Sequence, residues 1–205
     1  MPKKGYLEAV KELAHKNGAV LIFDEIRSGF RVSIGGAQKE FGVTPDLAVF
    51  GKAVANGYPL SFVAGKAEIM DALVSKAFLS STFFPNSLEQ VAALKTIEIM
   101  QRDNILGKIK EKGQRFADKV EKIVLNSGFD TAFSGGPWMP FITFNRDEKQ
   151  LYKKLRPAFY TELIRRGVFL QPYHHGYVCY RHTDADLDYA AGAIEESFNE
   201  IKKLV

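Results

Sequence analysis

LIFDEIRSGFRVSIGGAQKEFGVTPDLAVFGK, residues Leu21 to Lys52, holds two short apolar runs that each end in charged residues beside or near glycine. The first run ends in Asp24 and Glu25, the second in Gly51 and Lys52. In an open α/β sheet, ligands bind in the crevice outside the carboxyl ends of the strands. An acid and a lysine delivered to that edge can meet one small molecule, and the pair suits an aldehyde cofactor with a basic ring nitrogen. Lysine forms an imine with the carbonyl, and a carboxylate keeps the ring nitrogen protonated so that the ring withdraws electrons.

Spacing leaves two ambiguities open. SFVAGK, ending at Lys66, repeats the apolar-run-then-Gly-Lys form of LAVFGK, so Lys66 competes with Lys52. Glu25 competes with Asp24, and neighbours on an extended segment point to opposite faces, so only one of them meets the ligand.

Outward from this stretch, Leu7, Val10, Leu13 and Ala14 recur at helical spacing between Gly5 and Asn17, with Gly18 as the stop. Ala19 to Phe23 then reads as a buried strand, and helix followed by apolar strand is the rhythm of a parallel sheet. Leu47–Phe50 and Leu60–Ala64 are separated by loops too short for a crossover helix, which predicts a hairpin-like or edge pairing. Helical periodicity runs from Leu88 to about Leu125, with Gly107 and Gly113 as the expected points of bending. A Gly-Gly-Pro turn precedes the alternating run Met139, Phe141, Thr143. A helix over Gln150–Arg166, a strand at Val168–Leu170 and a helix over Asp184–Leu204, capped by Thr183 or Asp184, complete the pattern. The expected organisation is residues 1–114 as part of a large domain with its connector helix and 115–205 as a small α/β domain.

With 205 residues, 46% hydrophobic and 25% charged, the composition is that of an ordinary globular chain. The net charge of +4 is spread without a basic cluster, which argues against a nucleic-acid interface and suits an anionic phosphate or carboxylate ligand. The single cysteine, Cys179, excludes an intrachain disulfide framework, reads as strand core and makes a cytoplasmic location the default. No apolar run reaches the length of a membrane span.

Three groups of words carry a family resemblance: LIFDEI-x-x-GFR at Leu21–Arg31, GGAQ-x-x-FGVTPDL at Gly35–Leu47 and GK-x-x-x-x-GYP at Gly51–Pro59. The chain resembles the pyridoxal-phosphate-dependent class III aminotransferases, and within them the glutamate-1-semialdehyde aminomutase-like group. The resemblance implies the PLP-dependent transferase fold type I: the later part of its large, mainly parallel sheet domain plus the small C-terminal α/β domain. It implies pyridoxal 5'-phosphate as cofactor, Lys52 as the lysine of the internal aldimine, Asp24 as partner of the pyridine nitrogen and Ile26 against a ring face. Lys66 then becomes a solvated residue opening a helix over Ala67–Val74.

In SSTFFPNSLEQ, Thr82 and Asn86 match the family's Thr and Asn four residues apart, with Phe84-Pro85 and Ser87 as departures. From spacing alone, Ser80, Ser81 and Thr82 are ordinary caps or a phosphate site. The resemblance implies that Thr82 reaches the phosphate of a neighbouring subunit's cofactor, hence a homodimer with shared active sites. YRHTD at Tyr180–Asp184 resembles the AHT-D ending of the aminomutase group, and its Arg181 is a candidate grip for a substrate carboxylate or simply a surface arginine. His174, His175 and His182 lack partner ligands at metal spacing. Phe83, Phe84, Trp138 and Phe141 are pocket or core aromatics.

The implied activity is amino-group transfer to a keto sugar or another carbonyl compound, with glutamate-1-semialdehyde isomerisation as the alternative. A truncated, non-catalytic assembly module on the same scaffold is the rival from another class. The resemblance covers only the later part of the family's sequence. The expectation is therefore a fragment, split product or truncated homologue, with a separate N-terminal half as a possible partner. Neither G-x-G-x-x-G nor P-loop spacing occurs.

Overall fold

The structure, a computed structural model, describes residues 1–78, 80, 82 and 86–205. Two compact units make up the chain, Pro2–Leu106 and Gly107–Val205.

In the first unit, α1 (Tyr6–Lys16) ends before Gly18, whose φ of 66° closes the helix. Strand β1 (Ile22–Asp24) pairs in parallel with β2 (Leu47–Phe50), with Asp24 opposite Val49. Between them the chain turns and forms the short helix α2 (Gly36–Phe41). β3 (Phe62–Gly65) returns antiparallel on the other side of β2, with Phe62 opposite Phe50 and Gly65 opposite Leu47, as the short connection predicts. A tight 3-10 turn, Lys52–Ala55, follows β2. Its Val54 and Ala55 join Phe30, Ala48, Phe50 and Ala93 in the core of this unit. Ala93 comes from α5 (Ser87–Arg102), which packs on that turn. α3 (Ala67–Met70) and α4 (Ala72–Ser75) take the place of the single helix expected over Ala67–Val74.

The long helix expected from Leu88 to Leu125 is divided elsewhere than at its glycines. Asn104, at φ 48°, breaks it between α5 and α6 (Ile105–Leu125), because a left-handed residue cannot propagate the ladder. Gly113 lies inside α6, where a Cβ would come within 2.0 Å of the Pro137 carbonyl oxygen, so close approach of the 135–140 loop requires it.

In the second unit, β4 (Thr131–Ser134) and β5 (Phe141–Phe144) form an antiparallel pair. α6, α7 (Tyr152–Arg165) and α8 (Asp184–Ile201) close over it, burying Val120, Phe144, Phe159, Leu163, Ile194 and Phe198. Thr183, rather than Asp184, caps α8 through a reciprocal box: Thr183 Oγ1 accepts the Asp186 amide at 3.1 Å and Asp186 Oδ2 accepts the Thr183 amide at 2.8 Å. The strand expected at Val168–Leu170 is absent, for no ladder partner meets it among the described residues. Cys179 likewise lies outside any strand, half-buried, with its amide donating to His182 Nδ1 at 3.3 Å.

Candidate active site

Parallel pairing of β1 and β2 sends Asp24 and Lys52 out of the same edge of the sheet. Asp24 closes β1 opposite Val49, and Lys52 stands three residues beyond Val49, past Phe50 and Gly51. Both side chains are exposed there. Asp24 Oδ1 accepts the Ile26 amide at 3.0 Å, which turns the chain sharply after the strand. Ile26 Cγ2 would lie 3.8 Å from a Cβ on Gly51, so the isoleucine sits beside the residue that precedes Lys52. Lys52 holds a φ of 46°, a left-handed conformation that costs a non-glycine residue on the order of 1–3 kcal/mol.

Glu25, indistinguishable from Asp24 by spacing, has a different employment. It is 1% exposed, and its two oxygens accept the amides of Ala37 and Gln38, each at 2.8 Å, together with the Ser28 hydroxyl. The carboxylate thus satisfies the free amides that open α2 and complements the helix dipole. Gly36 is bound into the same arrangement. Its φ is 75°, and a Cβ would meet the Glu25 carboxylate at 2.5 Å, which accounts for the second glycine of GGAQ.

Lys66 is separated from Lys52 by strand direction. Because β3 runs against β2, the residue after Gly65 emerges at the opposite edge, beside Leu47. There Lys66 stands exposed before α3, the solvated residue expected, and its Nζ also pairs with Asp46 Oδ1 at 2.8 Å. Asp46 is 3% exposed and also takes the Leu21 amide at 2.7 Å and His15 Nε2 at 3.0 Å. The Lys66 ammonium first, then the Leu21 amide and His15, hold the Asp46 carboxyl far below the ordinary carboxylate range. Asp46 in turn raises the Lys66 ammonium. Sequence spacing missed this hub, although the acid of T-P-D-L before an apolar strand could have signalled it.

Thr82 is exposed. Ser81, Phe83, Phe84 and Pro85 beside it lie outside the described residues. Asn86 caps α5 by accepting the Leu88 amide at 3.2 Å. Arg181, in the second unit, is exposed in the turn before Thr183. His174 is tied by Nδ1 to the His175 carbonyl at 2.9 Å, the His175 ring lies 5.2 Å from Phe141, and among the described residues no group of His, Cys, Asp and Glu is arranged to hold a metal. Trp138 and Phe141 both belong to the second unit, Trp138 3% exposed beneath Lys110. No helix among the described residues is long and apolar enough to cross a membrane.

The donor set at the Asp24–Lys52 edge fits pyridoxal phosphate. It offers an amine for a carbonyl carbon, a carboxylate for a ring N–H and an aliphatic side chain beside Gly51, while the competing acid and lysine are committed elsewhere. The family model described as Aminotransferase class-III matches residues 1–196. The 3-aminobutyryl-CoA aminotransferase of Cloacimonas acidaminovorans (strain Evry) is 62% identical over 205 residues, 100% of this chain and 50% of that protein. The chain thus spans about half the length of that curated relative. Among solved structures, the PLP internal aldimine form of the Sphingopyxis sp. MTA144 FumI protein aligns at a TM-score of 0.85 and 25% identity, over 97% of this chain and 47% of that one. A transaminase with PLP bound aligns at 0.88 and 21%, over 100% and 50%. The fold is that of part of a PLP-dependent transferase of fold type I.

Proposed function

The chain belongs to the class-III aminotransferase family, and we propose that it carries the lysine-bearing part of a pyridoxal-phosphate-dependent enzyme that transfers an amino group. The observation that carries this reading is the shared sheet edge of Asp24 and Lys52, with Lys66 turned to the opposite edge and paired to Asp46. When bound, the cofactor supplies an electrophilic carbonyl carbon and a protonated ring that accepts the electron pair released at the substrate carbon. Lys52 would hold the cofactor through its amine and would serve as general base and acid for the proton on the substrate carbon. Asp24 would hold the ring nitrogen, whose protonated form its carboxylate favours. Ile26 would pack against the ring and exclude water from it.

Thr82 donates its hydroxyl to the phosphate of a neighbouring subunit, which makes the working enzyme a homodimer. The family's earlier half, in the same polypeptide or a separate one, completes the site with the stacking ring and the main phosphate turn. The first unit is then part of the large cofactor domain and the second is the small domain, whose Arg181 offers a guanidinium to an anionic part of the substrate.

For the substrate, 62% identity over the whole chain supports a 3-aminoacyl-CoA thioester as amino donor, in place of the keto sugar that the sequence wording suggested. Isomerisation of glutamate-1-semialdehyde rests on the words GFRV, GGAQ and HTD alone.

The test is to load the chain with pyridoxal phosphate, alone and co-expressed with the first half of the Cloacimonas relative, then reduce with borohydride and map the labelled peptide. Label on Lys52, abolished in Lys52→Ala, is the expected result. Label retained in that variant sinks the assignment. Conversion of glutamate-1-semialdehyde without an external amino donor would replace transfer by isomerisation.

A further inference from the structure

The first unit holds a cavity of about 770 Å³ walled by α1, α2 and the β2–β3 pair, and none of Asp24, Ile26 and Lys52 lines it. Its volume is that of a small-molecule site. Its charge is of one sign. Lys11 from α1, Lys39 from α2 and Lys66 after β3 line it, and no aspartate or glutamate does. The acids next in sequence, Glu12 and Glu40, stand outside the lining.

Two of the three cations are uncommitted. Lys66 is held by Asp46, whose carboxylate offsets its charge. Lys11, half-buried, and Lys39, exposed, form no ion pair among the described residues. The side-chain amide of Gln38 and the hydroxyl of Thr44 line the same cavity, and neither makes a hydrogen bond among the described residues. Four donors, two of them charged, thus meet on one concave surface without an acceptor of their own. A cleft lined by one sign of charge over apolar walls concentrates the field, and lysine binds phosphate as a point charge.

The remaining wall is apolar. Phe50 of β2 and Ala64 of β3 supply part of it, which gives a flat ring a surface to lie on beside the charges. Lys66 marks the edge of the sheet opposite to the one from which Lys52 emerges, so a ligand held here is a second one and not the cofactor.

We propose that this cavity binds a nucleoside diphosphate. Lys11 and Lys39 meet the diphosphate, Gln38 and Thr44 donate to its oxygens, and the base lies against Phe50 and Ala64. The site is independent of the role assigned to Lys52.

The full chain is titrated calorimetrically at low salt with ADP, pyrophosphate and adenosine. ADP is expected to bind, pyrophosphate about tenfold more weakly for want of a stacked base, and adenosine without measurable heat. Lys11→Gln and Lys39→Gln each weaken ADP by about tenfold, the loss of one charge-assisted hydrogen bond. Lys76→Gln, an exposed lysine after α4, leaves the affinity as it was. Should the glutamine variants fail to fold, ADP is expected to shield Lys11 and Lys39 of the wild-type chain from acetic anhydride, as read by peptide mass spectrometry. Absence of ADP binding, unchanged affinity in Lys11→Gln/Lys39→Gln, or unchanged acetylation of both lysines overturns the proposal. Pyrophosphate binding as tightly as ADP overturns the nucleoside part of it. Loss of ADP binding in Lys52→Ala would put the anion at the cofactor edge and overturn the second site. Failure of the cofactor reading would show separately, as absence of a borohydride-trapped adduct on Lys52.

Discussion

Lys66 Nζ lies 2.8 Å from Asp46 Oδ1, at the end of the sheet opposite to the one from which Lys52 emerges. Two lysines that follow near-identical apolar runs therefore have unrelated employments, because the strands before them run in opposite directions. Lys52→Ala is expected to abolish the borohydride-trapped adduct with little change in melting temperature, since the side chain is exposed. Lys66→Ala is expected to keep the adduct and lower the melting temperature. Peptide mapping and a thermal melt on each variant check both halves.

Acid sensitivity follows from Asp46. Its folded pKa lies below its unfolded value, so its stabilisation is present above the ordinary carboxylate pKa of about 4 and is lost as pH falls from there. Asp46→Asn is expected to be less stable at pH 7 and to lose less further stability between pH 5 and pH 3 than the wild type. Urea midpoints across that range measure the difference, and parallel curves for the two proteins would count against it.

Glu25→Ala leaves the partly buried Ala37 and Gln38 amides without their acceptor. The expected loss is about 2–4 kcal/mol in urea unfolding, mostly the cost of orphaned groups and a lost helix cap. Gly36→Ala is expected to be destabilised as well, by its φ of 75° and the overlap with the Glu25 carboxylate. In the double variant Glu25→Ala/Gly36→Ala the glycine penalty shrinks, because the overlap has gone while the strained φ remains.

Phe159 is 0% exposed, with its ring 4.4 Å from Phe198 and 5.5 Å from Phe144. Phe159→Ala removes one ring of this cluster, in which Phe144 and Phe198 also meet, and is expected to cost about 3–5 kcal/mol. Phe159→Leu, which refills most of the space, should recover a large part of that loss by the same denaturation measurement.

The apolar runs before Asp24 and Lys52 were legible because each is short, strongly apolar and bounded by glycine or charge, so β2 and the shared edge follow from local pattern, whereas β1 begins at Ile22 and not at Ala19 and leaves Ile22 exposed. The antiparallel β3 was equally legible from the length of its connection. The helix break at Asn104 was not, since asparagine in a left-handed conformation is a local choice that competes with the glycines at 107 and 113. Val168–Leu170 has the composition of a strand, but a strand exists only when a neighbour supplies its hydrogen bonds, and none among the described residues does.

By itself, the sequence determined the fold class and the candidate chemistry: apolar runs in helix–strand rhythm, an acid and a lysine after two of them, and the family wording around both. Spacing alone left open which acid and which lysine, since Asp24 and Glu25, or Lys52 and Lys66, have the same local surroundings in one dimension, and it was the family wording that chose Asp24 and Lys52. Where each of the four side chains goes was decided by the tertiary structure. Strand direction sent the lysines to opposite edges, and the open amides of α2 drew Glu25 into the interior while Asp24 stayed exposed. A residue's partner depends on groups far along the chain, and short-range spacing does not encode those distances.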